Sequence, residues 1–136
     1  MPSLTGDRNT TNRAGTDFEF PVAANARIFA GAIVAIDTAT ALANKGATST
    51  TLKCVGIAQA AADNTGGAAG AIRVRVRRGL WYLANSGAAD QITLADVQSD
   101  CYLVDDQTVA KTNGGNTRSI AGKVRDVDAN GVWVEF

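Results

Sequence analysis

Histidine is absent from this 136-residue chain, and cysteine (two), proline (two) and methionine (one) are scarce. Without histidine the sequence lacks the side chain most used for proton transfer near neutral pH and the commonest metal ligand. The Ser/His/Asp hydrolase triad is excluded outright. Aromatic residues make up only 6%, and 25 of the hydrophobic residues are alanine, so the core is expected to be thin and flat. Neither sign of charge prevails, because 13 Lys and Arg balance 13 Asp and Glu. A domain that works by neutralising phosphate normally carries a basic excess, so no nucleic-acid partner is expected. No segment approaches the ~20 apolar residues of a membrane span, and the first twenty residues hold no apolar run of signal-peptide length. A soluble compartment and no membrane partner are the expectation.

The length fits one domain, which would bury roughly two thirds of its unfolded surface. Residues 1–16 are polar and turn-rich, with Leu4 as the one apolar anchor and Arg8 and Arg13 as its cations. They read as an arm without a core-facing side. Residues 17–136 read as a single β-domain, because short β-prone runs such as FEFPVA, ARIFAGAIVAID, LKCVGIAQAA, AIRVRVRRGLWYLAN and GVWVEF alternate with Gly, Asn and Asp. The fold class is therefore all-β: a small curled barrel or sandwich of short antiparallel strands, with one short helix and an extended N-terminal arm. Strict alternation in Ile72–Arg77 predicts a strand with Ile72, Val74 and Val76 inward and Arg73, Arg75 and Arg77 outward. Asn113-Gly114 and Asn130-Gly131 are expected at hairpin turns through their tolerance of positive φ, the second joining strands 119–127 and 132–136. Residues 88–98 are the helical candidate, one or two turns long, with Asp90 as its cap and Ile92, Leu94 and Val97 as its apolar side. Gly31, Gly56 and Gly122 fall where strands bulge or turn a barrel corner.

Chemical motifs are sparse. DVDANG at 126–131 opens like a calcium loop, but the bidentate Glu of its twelfth position would lie past Phe136, so a polar hairpin turn is the better reading. DNTGGAAGA at 63–71 leads into a strand and lacks the Lys and Ser/Thr of a phosphate loop, which leaves an exposed connector. Asp105 and Asp106 would point to opposite faces of a strand and are read as a turn. Cys54 and Cys101 each lie in an apolar run and are read as buried free thiols rather than as a bridge. No cofactor, metal or catalytic constellation is expected. The concentrated feature is Arg73, Arg75, Arg77 and Arg78 with Trp81 downstream, either a solvated strand face, a patch pairing with carboxylates of a neighbouring subunit, or a nucleic-acid platform.

The order of these segments, from DRNT in the arm through FPVAANARIFAGAIVAID, VGIAQAAADNTGGAAGAIRVRVRRGLWYLANS and CYLVDDQTVAKT to TRSIAGKVRDVDANGVWVEF, resembles the small capsid decoration, or cement, proteins of tailed bacteriophages, in particular those of Mu-like phages and related siphophages. The resemblance covers nearly the whole chain. It implies a non-enzymatic structural protein on the outer surface of the virion head, assembled in the bacterial host cytoplasm, whose partners are the major capsid protein and its own copies in a homotrimer. Candidate interface residues on this reading are Leu4, Arg8, Arg13 and Phe18, with Arg73, Arg75 and Arg77 of the strand. The alternatives are a nucleic-acid-binding barrel using Arg73–Arg78 and a virion-surface module that binds carbohydrate or a receptor.

Overall fold

The structure is a computed structural model and describes residues 2–136. The chain is all-β and falls into two lobes that follow each other in sequence. The first is an open five-stranded sheet in the order β1-β7-β5-β3-β4, built from β1 (Asp17–Pro21), β3 (Ile33–Asp37), β4 (Leu42–Lys45), β5 (Leu52–Ala58) and β7 (Arg73–Arg77). A small ribbon of β2 (Arg27–Ile28) and β6 (Ala62–Asp63) accompanies it. The second is a closed barrel in the order β10-β8-β12-β11-β9, built from β8 (Leu80–Asn85), β9 (Asp100–Leu103), β10 (Thr108–Ala110), β11 (Ile120–Asp128) and β12 (Gly131–Glu135). The run AIRVRVRRGLWYLAN is thus two strands, parted at Arg78-Gly79 and assigned to different lobes.

Alternation along the sheet strands gives each lobe its core. Ile33, Ala35 and Ile57 leave one face of the sheet and join Leu83, Leu103, Val109, Val124, Val132 and Val134 inside the barrel cluster. Val34, Ala58, Val74 and Val76 leave the other face and pack with Val22, Ile28 and Ala43 under the ribbon. The two faces differ in what they bury, which explains how a chain so rich in alanine forms two thin cores instead of one thick one. Val74 and Val76 are buried and Ile72 is half-buried, as the alternation predicts.

The ribbon side is tied down by one buried polar residue. Asn64 donates from Nδ2 to the carbonyls of Ala23 and Ala68, both at 2.9 Å, and its backbone N–H donates to Ala26 at 2.8 Å. The connector at 63–71 is mostly exposed, yet this amide fixes it. Replacing Asn64 by alanine removes both amide bonds, although Ala23 O keeps Ala26 N–H and Ala68 O keeps Ala71 N–H, and is expected to cost about 2 kcal/mol, which urea unfolding of the variant beside the wild type would read directly.

Several expectations about local structure are corrected. Residues 88–98 form no α-helix but two 3₁₀ turns, Ala88–Asp90 and Leu94–Asp96. Asn85 supplies the reason: its amide donates to the Ile92 carbonyl and accepts from the Ile92 N–H, both at 2.9 Å, taking the two groups a helix would need. Ile92 is thereby driven into the barrel cluster. Asn113-Gly114 does not close a hairpin, since β10 pairs with β9 and β8 and not with β11. The β10–β8 pair is also parallel, an exception to the antiparallel expectation. The β11–β12 hairpin does form, but its turn residues Ala129 and Asn130 keep negative φ, and Asp128 Oδ1 instead accepts the N–H groups of Asn130 and Gly131. Gly131 serves close packing, because a Cβ there would run into the Tyr82 ring. Gly56 and Gly122 sit beside register shifts, whereas Gly31 lies in the turn before β3.

Candidate functional site

Strand β7 pairs along its whole length with β1, from Asp17↔Arg77 to Pro21↔Arg73. Because opposed residues share a face, this register sets Asp17 and Glu19 among the outward arginines. Arg77 Nε donates to Asp17 Oδ1 at 2.7 Å and Arg75 to Asp17 Oδ2 at 2.8 Å, while Arg73 Nε stands 3.8 Å from Glu19. These bonds from Arg77 and then Arg75 hold the Asp17 carboxyl well below the usual carboxylate range. The arginine stripe is therefore internally paired, by carboxylates of its own chain.

Arg73 also guards an edge. Val22 N–H donates to Ile72 O and Arg78 N–H to Thr16 O, so even-numbered residues of β1 turn their backbone groups toward β7 and odd-numbered ones turn them outward. Of the outward groups, Glu19 O accepts Arg73 at 2.8 Å, and Pro21 has no N–H to offer. Charge and proline blunt the open side of the sheet against unwanted strand pairing.

A depressed carboxyl makes a pH-dependent contribution. Its stabilisation is complete above the unfolded pKa near 3.9 and fades as pH falls below that toward the folded value. Asp17→Asn is expected to lower the melting temperature at neutral pH, and the gap to wild type should narrow steadily below about pH 4. Thermal melts of both proteins at neutral and acid pH test this.

The arm residues that sequence singled out are solvent-facing. Leu4 is 73% exposed and Arg8 is exposed, and neither lies on a strand. Arg13 differs: its guanidinium lies 4.9 Å from the centroid of Phe18, which in turn stacks on Phe20 at 6.1 Å. Phe18 and Phe20 line an open cavity of about 300 Å³ together with Cys54, Val55, Arg78 and Phe136. Arg78 has no carboxylate partner among the described residues, which sets it apart from the three arginines before it. Both thiols are free, and burial pushes Cys54 up to about 12 and Cys101 up to about 11.

A second surface, which sequence reasoning missed, lies on the outer wall of the barrel. Trp133 is directly opposite Tyr82 on one side and Asp126 on the other, so the three share a face. The Tyr82 and Trp133 rings stack at 4.9 Å with 10° between their planes. Tyr82 donates its hydroxyl to Asp128, which raises the phenol to about 12 and lowers the carboxyl. An aromatic residue on the face opposite the inward residues of each strand, Tyr82 in LWYLAN and Trp133 between the valines of GVWVEF, was the available signal. The acidic partners became apparent only with the β11–β12 register.

No protein-family model, curated protein or solved structure matches the chain.

Proposed function

We propose that the protein is a structural decoration protein of a tailed-phage head, binding the outer capsid surface through contacts with the major capsid protein and with its own copies. The reading rests on the segment resemblance over nearly the whole chain, and the observation that carries it furthest is the pairing of a compact β-body with an arm exposed throughout residues 2–16. An exposed arm suits binding by ordering: it wraps a partner at a cost in conformational entropy, which keeps each contact modest. Many copies on one lattice then act together. Each bound copy favours the assembled shell over free subunits by mass action. Against the nucleic-acid alternative, Arg73, Arg75 and Arg77 are engaged by Asp17 and Glu19 and are not free to track a phosphate backbone.

The test is sedimentation of the purified protein with expanded, undecorated heads, counting copies per particle while the heads are heated. Saturation at a lattice-defined stoichiometry with raised head stability is expected. Removing residues 1–16 should leave the unfolding transition of the body in place and abolish head binding. Full occupancy by the truncated protein would overturn the role of the arm, and no binding by the intact chain would overturn the function.

A further inference from the structure

The zero net charge is the sum of two opposite halves. Residues 2–79, the arm and sheet lobe, carry nine Lys and Arg against five Asp and Glu, and residues 80–136, the barrel, carry four against eight. Ion pairing does not cancel this. All seven ion pairs among the described residues join partners within the same half. In the barrel every cation is consumed, Lys111, Arg118, Lys123 and Arg125 by Asp96, Asp90, Asp100 and Glu135, which leaves Asp105, Asp106, Asp126 and Asp128 without a cationic partner among the described residues. In the first half the cations left over include Arg13 and Arg78.

These leftover charges flank apolar surface at two places along β12. From its start to its middle, where Asp128 faces Gly131 and Asp126 faces Trp133, these carboxylates adjoin Tyr82 and Trp133 on the barrel wall. At its finish, Phe136 lies with Arg78, Phe18 and Phe20, and Phe136 N–H bonds to Gly79 O. Trp133 of the one and Phe136 of the other are three residues apart, a span of about 10 Å, and an odd number of steps along the strand turns them to opposite sides. One patch is aromatic and acidic and the other aromatic and basic, the residue types enriched where protein surfaces meet. They complement each other, yet one molecule cannot bring its own two together.

We infer that copies of this chain associate head to tail, with the acidic barrel patch of one (Tyr82, Trp133, Asp126) seated on the basic patch of the next (Arg78, Phe18, Phe20). This deepens the proposed function by naming the surfaces through which its copies meet, and it rests on that reading only for the setting. The contact is heterologous, since unlike patches face each other, so it closes into a ring or continues as an open array according to the rotation per copy. Opposed charges also steer the encounter and reject like-on-like docking.

The experiment uses the full chain, free of capsids, so that its outcome is separate from head binding. Sedimentation equilibrium in about 0.02 M salt should give at least twice the monomer mass, falling toward the monomer at about 0.5 M as screening shortens the reach of the charges. Arg78→Glu and Asp126→Lys should each lose association alone, because each carries a like-charged contact. Mixed in equal amounts they should regain it as pairs, open chains or even-numbered rings, since each contact between unlike variants joins opposite charges and an odd ring cannot alternate the two. A monomer at low salt, an assembly insensitive to salt, or single variants that associate like wild type would overturn the inference. Failure of the mixture to recover would do the same, with the native melting transition of each variant checked first and Arg78→Gln and Asp126→Asn used in place of any that does not fold.

Discussion

Gly56→Ala is expected to destabilise the protein by about 3 kcal/mol or more, the largest effect of any single methyl group added to the chain. Two costs combine at this position. Gly56 has φ of +141°, a conformation that side-chain-bearing residues rarely adopt. A Cβ there would also fall inside the van der Waals shell of the Arg77 carbonyl oxygen, with the Val76 side chain close behind. Neither neighbour is free to retreat, because Arg77 pairs with Ile57 on one side and Asp17 on the other. The glycine lies at the register shift in which two steps along β5 match one along β3, from Val34↔Gly56 to Ala35↔Cys54. That shift keeps Cys54 and Ile57 on the barrel side while bending the sheet. Urea unfolding should show a lower midpoint at unchanged slope, and a variant as stable as wild type would mean that the strand can straighten at this point.

Ile33→Ala is expected to cost about 2–5 kcal/mol, the range for removing a fully buried branched side chain that leaves a cavity. Ile33 has no exposed surface and is one of the sheet residues packed in the barrel cluster. Its backbone N–H joins the lobes as well, donating to Asp106 O of the barrel at 2.8 Å, while its carbonyl accepts Gly46 N–H just past β4, also at 2.8 Å. A cavity there should loosen sheet and barrel together. Calorimetric and spectroscopic transitions of the variant should stay coincident at a lower temperature, whereas two separate transitions would show that the lobes unfold independently.

Much of the strand pattern could be read from local sequence, because a period of two is a property of neighbouring residues. Ile72–Arg77 and the β11–β12 hairpin follow from that. The rest depends on distant partners. Nothing near Arg77 announces Asp17, sixty positions earlier, as its carboxylate. Asn85 and Ile92 defeat the helical pattern of 88–98 by a bond between a strand residue and the loop after it. The hairpin was expected for its Asn-Gly pair, yet the turn is held by Asp128 and the glycine is required by Tyr82. Composition likewise reduces charge to one total, and a total of zero conceals how the signs divide between the lobes.

The pairing of β1 with β7 also fixes how the body bears load. Tension on residues 2–16 enters at Asp17 and, when it runs along β1, strains the five pairs from Asp17↔Arg77 to Pro21↔Arg73 in shear, so they must yield together. The same tension directed away from the sheet would peel them one by one. The two arginines on Asp17 stand at the first pair to be pulled, where a rivet resists peeling best. A tether attached to this strand is therefore anisotropic, stiff along β1 and weaker across it.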